Sequence, residues 1–103
     1  FLIPTVHNPT SLTFAEPRRR ELARVVERYG LPVVEDDLYR AYADADVPAP
    51  LSAVAPEHVI YLTSASKHLS PGLRIGALHM PPRMRTRGRA ARATPISGAR
   101  RSP

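Results

Sequence analysis

The stretch Thr63-Ser64-Ala65-Ser66-Lys67-His68-Leu69-Ser70-Pro71-Gly72-Leu73-Arg74 decides how this sequence is read. Lys67 is the only lysine in the chain, and every other cationic side chain is an arginine. A desolvated lysine can become a neutral, nucleophilic amine, whereas arginine stays protonated and cannot form an imine. Two small hydroxyls, Ser64 and Ser66, stand just ahead of Lys67, and Arg74 follows seven residues later. Hydroxyls donate to phosphate oxygens and an arginine clamps them with a fork of donors, so the segment suggests an imine-forming lysine beside a phosphate pocket. The competing reading is a solvated turn with an ordinary surface lysine, because short motifs recur by chance.

Working outward, Val59-Ile60-Tyr61-Leu62 is a short apolar run that reads as a buried strand delivering this segment at its end. Arg74-Ile75-Gly76-Ala77-Leu78-His79-Met80 reads as another buried strand. The link between them is too short for a crossover, so that pair is expected to be antiparallel. Upstream, Leu31-Pro32-Val33-Val34 is a further buried strand running into Glu35-Asp36-Asp37. One of these three acids is expected to turn inward toward a cation, since an unpaired buried carboxylate is costly. Residues 40–57, rich in proline, alanine and aspartate, read as a surface connection.

Before that lies a helix. Thr13 and Glu16 have capping-box spacing, Pro17 suits a first turn, and Gly30 suits a C-terminal cap. Leu22, Val25, Val26 and Tyr29 recur at helical spacing as the expected buried stripe. Arg18, Arg19, Arg20, Arg24 and Arg28 fall mostly off it and read as a solvated face, with a phosphate patch as the alternative. Phe1-Leu2-Ile3 reads as a first short buried strand stopped by Pro4, followed by a loop of turn formers from Thr5 to Thr13. Strand, helix and strand in this length imply a parallel pair with a right-handed crossover.

The totals narrow the function classes. The 103 residues allow one small domain, and the absence of cysteine excludes disulfides and thiolate metal sites. No apolar run approaches membrane-spanning length and no secretory pattern opens the chain, so a cytoplasmic protein without a membrane partner is expected. The net charge of +6 is unevenly placed. Residues 83–103 carry seven arginines and no acid, whereas residues 1–82 carry eight basic and nine acidic side chains. The excess belongs to an appendage, not to a basic face interleaved with base-reading groups. Residues 83–103 lack apolar periodicity and read as a disordered basic tail. Its abrupt loss of pattern is more like a truncated or out-of-frame end than a nucleic-acid or membrane arm.

Asn8, then Asp36 and Tyr39, then Ser64, Ser66, Lys67 and Arg74 sit after successive strands and are candidates to converge. Each has a plain structural alternative: a turn for Asn8, a cap for Asp36, packing for Tyr39, a salt bridge for Arg74. In this order, Asn-Pro-Thr at 8–10, Glu-Asp-Asp-Leu-Tyr at 35–39, and Ser-Ala-Ser-Lys with Pro-Gly-Leu-Arg-Ile-Gly at 64–76 resemble the class I/II aminotransferases of fold type I. These enzymes depend on pyridoxal 5'-phosphate. The resemblance spans residues 1–82 and implies an α/β fold: part of the large, cofactor-binding domain, with a mostly parallel sheet, a crossover helix and one antiparallel strand.

The resemblance also implies roles. Lys67 would carry the cofactor as an internal aldimine and shuttle the proton, as the catalytic residue. Asp36 would pair with the pyridinium nitrogen. Tyr39 and Asn8 would bond the cofactor's phenolic oxygen, and Ser64, Ser66 and Arg74 would hold its phosphate. The Asn-Pro-Thr-Ser loop, the double acid and Leu-Ser-Pro-Gly-Leu-Arg are equally similar to the aminotransferase-like domain of MocR-type regulators of the GntR family, in which a winged-helix DNA-binding domain comes first. Amino-acid and 2-oxo acid substrates, a homodimeric parent, and DNA only behind such a winged helix are the implied partners. Ser11 stands where most relatives have glycine, Leu38 where proline is common, and His68 where threonine is common. Segments supplying further phosphate contacts, ring stacking and the arginine for the substrate carboxylate have no counterpart in residues 1–103. A fragment inactive by itself is therefore expected.

Overall fold

In the computed structural model, residues 1–65 and 69–92 are described. Helix α1 spans Glu16–Tyr29, strand β1 Val33–Asp36, the short helix α2 Leu51–Val54, strand β2 Val59–Ser64, strand β3 Gly76–His79, and helix α3 Arg85–Arg92. The sheet order is β1-β2-β3. β1 and β2 are parallel, with Val33 opposite Val59 and Asp36 opposite Leu62. β2 and β3 are antiparallel, with Tyr61 opposite His79 and Ser64 opposite Gly76, as the short link required. The expected first strand is reduced to one parallel bridge between Leu2 and Glu35, and Phe1 is left exposed. Pro4 lacks the N–H that would continue a ladder.

Alternation along β1 divides the sheet into two unlike faces. Val33, Glu35 and, just past the strand, Asp37 are buried, while Val34 and Asp36 are half-buried. The buried face carries the core, in which Ala23 and Val26 of α1, Leu51 and Ala55 of the α2 region, Val33 and Val59 pack with Leu2 and Leu22. Residues 40–57 are therefore not only a surface connection, because Leu51 and Ala55 close the core through α2. β3 is exposed along its whole length rather than buried, since no described element covers it.

α1 begins with Pro17 in its first turn and ends on Gly30 in the left-handed region, both as the sequence implied. The capping box does not form. Ala15 is the N-cap without a side-chain bond, and the Thr13 hydroxyl instead accepts from the Val6 N–H.

The buried stripe is also rotated from its expected place. Arg19, Ala23 and Val26 are buried, while Val25 and Tyr29 are exposed. Hydropathy places an arginine outside, but burial is tolerated when every donor and the charge are satisfied. Arg19 meets that condition: its guanidinium donates to the carbonyls of Phe14, Ala49 and Pro4 and to the Thr5 hydroxyl, at 2.9–3.3 Å. Its charge faces Glu35 at 3.9 Å, with both side chains at most 1% exposed.

From Pro82 a turn of 3-10 helix leads into α3. Arg83 ties this segment to the body through the Glu57 carbonyl and the His58 ring. Residues 93–103 of the expected tail lie outside the described residues.

Removing Arg19 would leave Glu35 as an uncompensated buried charge and strand several backbone acceptors. Arg19→Ala is expected to lower unfolding free energy by about 3–5 kcal/mol. Arg20, whose exposed ion pair with Glu16 is solvent-screened, is expected to lose less than about 1 kcal/mol on the same change. Urea titrations of the two variants check the contrast.

Candidate functional site

The register brings the polar strand ends to one edge of the sheet. Asp36 ends β1, two positions short of the level at which Ser64 ends β2. Because β3 is antiparallel, its first residue, Gly76, lies beside Ser64, so Arg74 enters at the same edge. Asp36 and Ser64 also share a face. Val34 and Asp36 of β1 alternate onto the side opposite the helices, as do Ile60, Leu62 and Ser64 of β2 in matching register. The Asn8 loop follows the Leu2 bridge, which runs parallel to β1, and so leaves at this edge too.

Each described residue has a local reason for its placement. The loop carrying Asn8 is closed by His7 N–H to the Leu12 carbonyl, by Ser11 N–H to the His7 carbonyl, and by the His7 ring against the Thr10 hydroxyl. Asn8 is exposed at its tip. Ser11 adopts φ 59°, in the left-handed region where a Cβ is unfavourable. Asp36 is half-buried, and its Oδ1 accepts from Leu38 N–H at 3.2 Å, forming the turn that presents Tyr39. The Tyr39 ring packs near Tyr42, with centroids 6.3 Å apart. The Ser64 hydroxyl donates to the Ile75 carbonyl at 3.1 Å, and Ala65 N–H donates to the same oxygen at 2.9 Å. Exposed Arg74 sits at φ 45°, turning the chain into β3. Ser66 and Lys67 lie outside the described residues.

Behind this edge lies charge that sequence reading only half anticipated. Two acids turn inward, not one. The Glu35 carboxylate accepts from Leu51 N–H at 2.7 Å and Ser52 N–H at 2.8 Å, besides facing Arg19. Burial pushes its carboxyl above the usual range, against the downward pull of those two donors. Burial likewise draws the Arg19 guanidinium down, with Glu35 and Asp37 opposing. Asp37 accepts from the Tyr61 hydroxyl at 3.0 Å and from Arg40 at 3.2 Å. Burial, reinforced by the Asp37 charge, raises Tyr61 to about 12. Arg19, Glu35, Asp37 and Tyr61 were not singled out as a buried set by the sequence. The available signal was the uninterrupted triple acid, whose alternation forces two members onto one face.

The donor set at the sheet edge suits a phosphorylated pyridine aldehyde. It offers an anion for a ring nitrogen, a phenol and an amide for an oxygen, and a hydroxyl with a guanidinium for a phosphate. Among the described residues no cluster of histidine and acids has metal-binding geometry, and no helix is long and apolar enough to cross a membrane.

Two expectations follow. Tyr61 should give a phenolate absorbance step at about pH 12. Because its folded value lies above the usual 10, the stability it contributes is complete below about pH 10 and is lost as pH rises to about 12. Ser11→Gly removes a left-handed Cβ at the expense of chain entropy and should raise unfolding free energy by roughly 0.5–1 kcal/mol in urea titrations.

The chain is similar to known proteins along most of its length. The family model "Aminotransferase class I and II" matches residues 1–99. An uncharacterized HTH-type transcriptional regulator of Bacillus subtilis, YdfD, is 45% identical over 75 residues, covering 71% of this chain and 16% of its own length. The 2-aminoadipate transaminase of Thermus thermophilus is 46% identical over 81 residues, covering 73% of this chain and 20% of its own. The chain thus spans about a fifth or less of the length of these two relatives. The crystal structure of LysN, the α-aminoadipate aminotransferase of Thermus thermophilus complexed with N-(5'-phosphopyridoxyl)-L-leucine, superposes with a TM-score of 0.80 at 40% identity. That match covers 87% of this chain and 24% of LysN. A multiple substrate aminotransferase from Thermococcus profundus gives a TM-score of 0.78 at 30% identity, over 86% of this chain and 23% of that one. The fold is therefore that of fold type I aminotransferases, here a small α/β portion with a mixed three-stranded sheet, and the cofactor so indicated is pyridoxal phosphate. This chain belongs to the class I and II aminotransferase family.

Proposed function

We propose that this chain is a portion of the cofactor-binding domain of an aminotransferase, whose parent moves an amino group from an amino acid to a 2-oxo acid. The observation carrying this reading is the shared sheet edge of Asp36, Ser64 and Arg74 within a chain matching the family along most of its length. Pyridoxal phosphate, when bound, supplies an electron sink for charge developing at the substrate's α-carbon. Asp36 would hold a proton at the ring nitrogen. Tyr39 and Asn8 would hydrogen-bond the phenolic oxygen, and Ser64, Ser66 and Arg74 would hold the phosphate. Lys67 would hold the group covalently and, once the incoming amino group displaces it, would move the proton as a free amine. The family context extends to amino-acid substrates and a dimeric parent.

A second reading is favoured by a specific observation: the HTH-type regulators YdfD, YdeF, YisV and YcxD of Bacillus subtilis are 39–45% identical to this chain. In that case the same residues bind cofactor so that a regulator senses an effector, and DNA becomes a partner of the parent. A winged-helix segment encoded upstream of Phe1 would decide for the regulator.

Mixing the chain with pyridoxal phosphate should produce a visible absorption band that survives dilution and is lost in Lys67→Ala. No band in the wild type would defeat the cofactor reading; a band persisting in Lys67→Ala would remove Lys67 from its role. Assayed alone with amino acids and 2-oxo acids, the chain should give no turnover, because no residue within it matches the family's substrate-carboxylate arginine.

A further inference from the structure

Asp37 is fully buried on the helix-covered side of the sheet, opposite the side that carries Asp36. Its Oδ2 accepts from the Tyr61 hydroxyl on β2 at 3.0 Å and from Arg40 at 3.2 Å. Its Oδ1 is buried without a hydrogen-bond partner among the described residues. A carboxylate half satisfied in the interior does not favour stability: an apolar side chain of similar size would avoid the desolvation cost. Placement is the better account of what it contributes.

Its bonds bracket the short turn that presents Asp36 and Tyr39. Asp37 N–H donates to the Leu62 carbonyl at 2.9 Å, extending the parallel ladder one residue past β1. Arg40 N–H donates back to the Asp37 carbonyl at 3.2 Å. The Arg40 guanidinium bridges Asp37 to the Pro48 carbonyl, at 2.8 Å from the latter, fastening the far side of the turn to the connection beyond. Asp36 is one residue before Asp37 and Tyr39 two residues after it. A shift at Asp37 therefore moves both.

Resting on the cofactor reading above, we propose that Asp37 is a positioning residue: its carboxylate, held by Tyr61 and Arg40, fixes the turn that aims Asp36 at the cofactor's ring nitrogen. Asp37 touches neither cofactor nor substrate, and acts through the backbone it shares with Asp36. Tyr61 is the fixed point, because β2 is paired on both sides and its strand position is set by Glu35 and His79.

The test compares binding of pyridoxal phosphate with binding of its analogue in which the ring nitrogen is replaced by CH, to the wild-type chain, Asp37→Ala, Asp37→Asn and Tyr61→Phe. Amide hydrogen exchange of each cofactor-free protein is followed in parallel. The wild type should prefer the natural ring. Asp37→Ala should reduce that preference about tenfold or more, since small misplacements of a charged contact are expensive. Asp37→Asn, which keeps an acceptor for Tyr61, should recover much of it, and Tyr61→Phe should fall between. Exchange at Leu38–Arg40 should quicken in Asp37→Ala while α1 stays protected.

An unchanged ring preference in Asp37→Ala overturns the proposal, whether or not exchange quickens. If α1 also loses protection in Asp37→Ala, Tyr61→Phe becomes the deciding variant, and an unchanged preference there overturns the proposal equally. A wild type that binds neither compound overturns the cofactor reading itself, a result distinct from binding without an effect of Asp37.

Discussion

A single buried ion pair holds this fragment's layers in register. Arg19 reaches from α1 to both ends of the Asn8 loop, through Pro4, Thr5 and Phe14, and to the α2 connection through Ala49. Glu35 on β1 answers its charge and also caps α2 through Leu51 and Ser52. Loop, helix, strand and connection thus meet at two side chains. Among the described residues the buried aliphatic core is Ala23, Val26, Val33, Leu51, Ala55 and Val59, and none of these side chains reaches all of these elements. A long guanidinium with several donors can do so.

The pair has a consequence for the sheet edge. Glu35 and Asp37 occupy the interior face, so alternation sends Asp36, between them, to the other face. Burial of Glu35 and Asp37 thereby leaves Asp36 as the member of the acidic run on the face away from the helices. Asn8 depends on Arg19 in the same way, because the loop's entry and exit both bond to it. Stability and presentation of the candidate site are not separable here.

The opposite face of the sheet has a different character. Ile60 and Leu62 are half-buried, and Leu78 of β3 is exposed, as are Leu73 and Ile75 just before it. This chain amounts to about a quarter of the LysN chain it superposes on. The open strand edge and apolar side chains are what a slice of a larger sheet presents to solvent.

Much of this was legible in residue order. The apolar runs at 31–34 and 59–62, the short link before β3, Pro17 and Gly30 gave strands, pairing sense and helix limits, since these depend on local sterics and chain length. The motifs at 8–10, 35–39 and 64–76 gave the family. What the sequence could not decide were questions of which side chain faces whom. Val25 and Tyr29 looked like core and Arg19 like surface, because hydropathy scores a residue without its partners. The helix α3 was not legible because residues 85–92 carry no apolar periodicity, and the partners of Arg83, Glu57 and His58, lie far away in sequence. Thr13 looked like a cap, but its hydroxyl was taken by Val6. Only the folded chain brings Pro4, Thr5, Phe14, Glu35 and Ala49 around one guanidinium, and burial of a charge is favourable or ruinous according to that company.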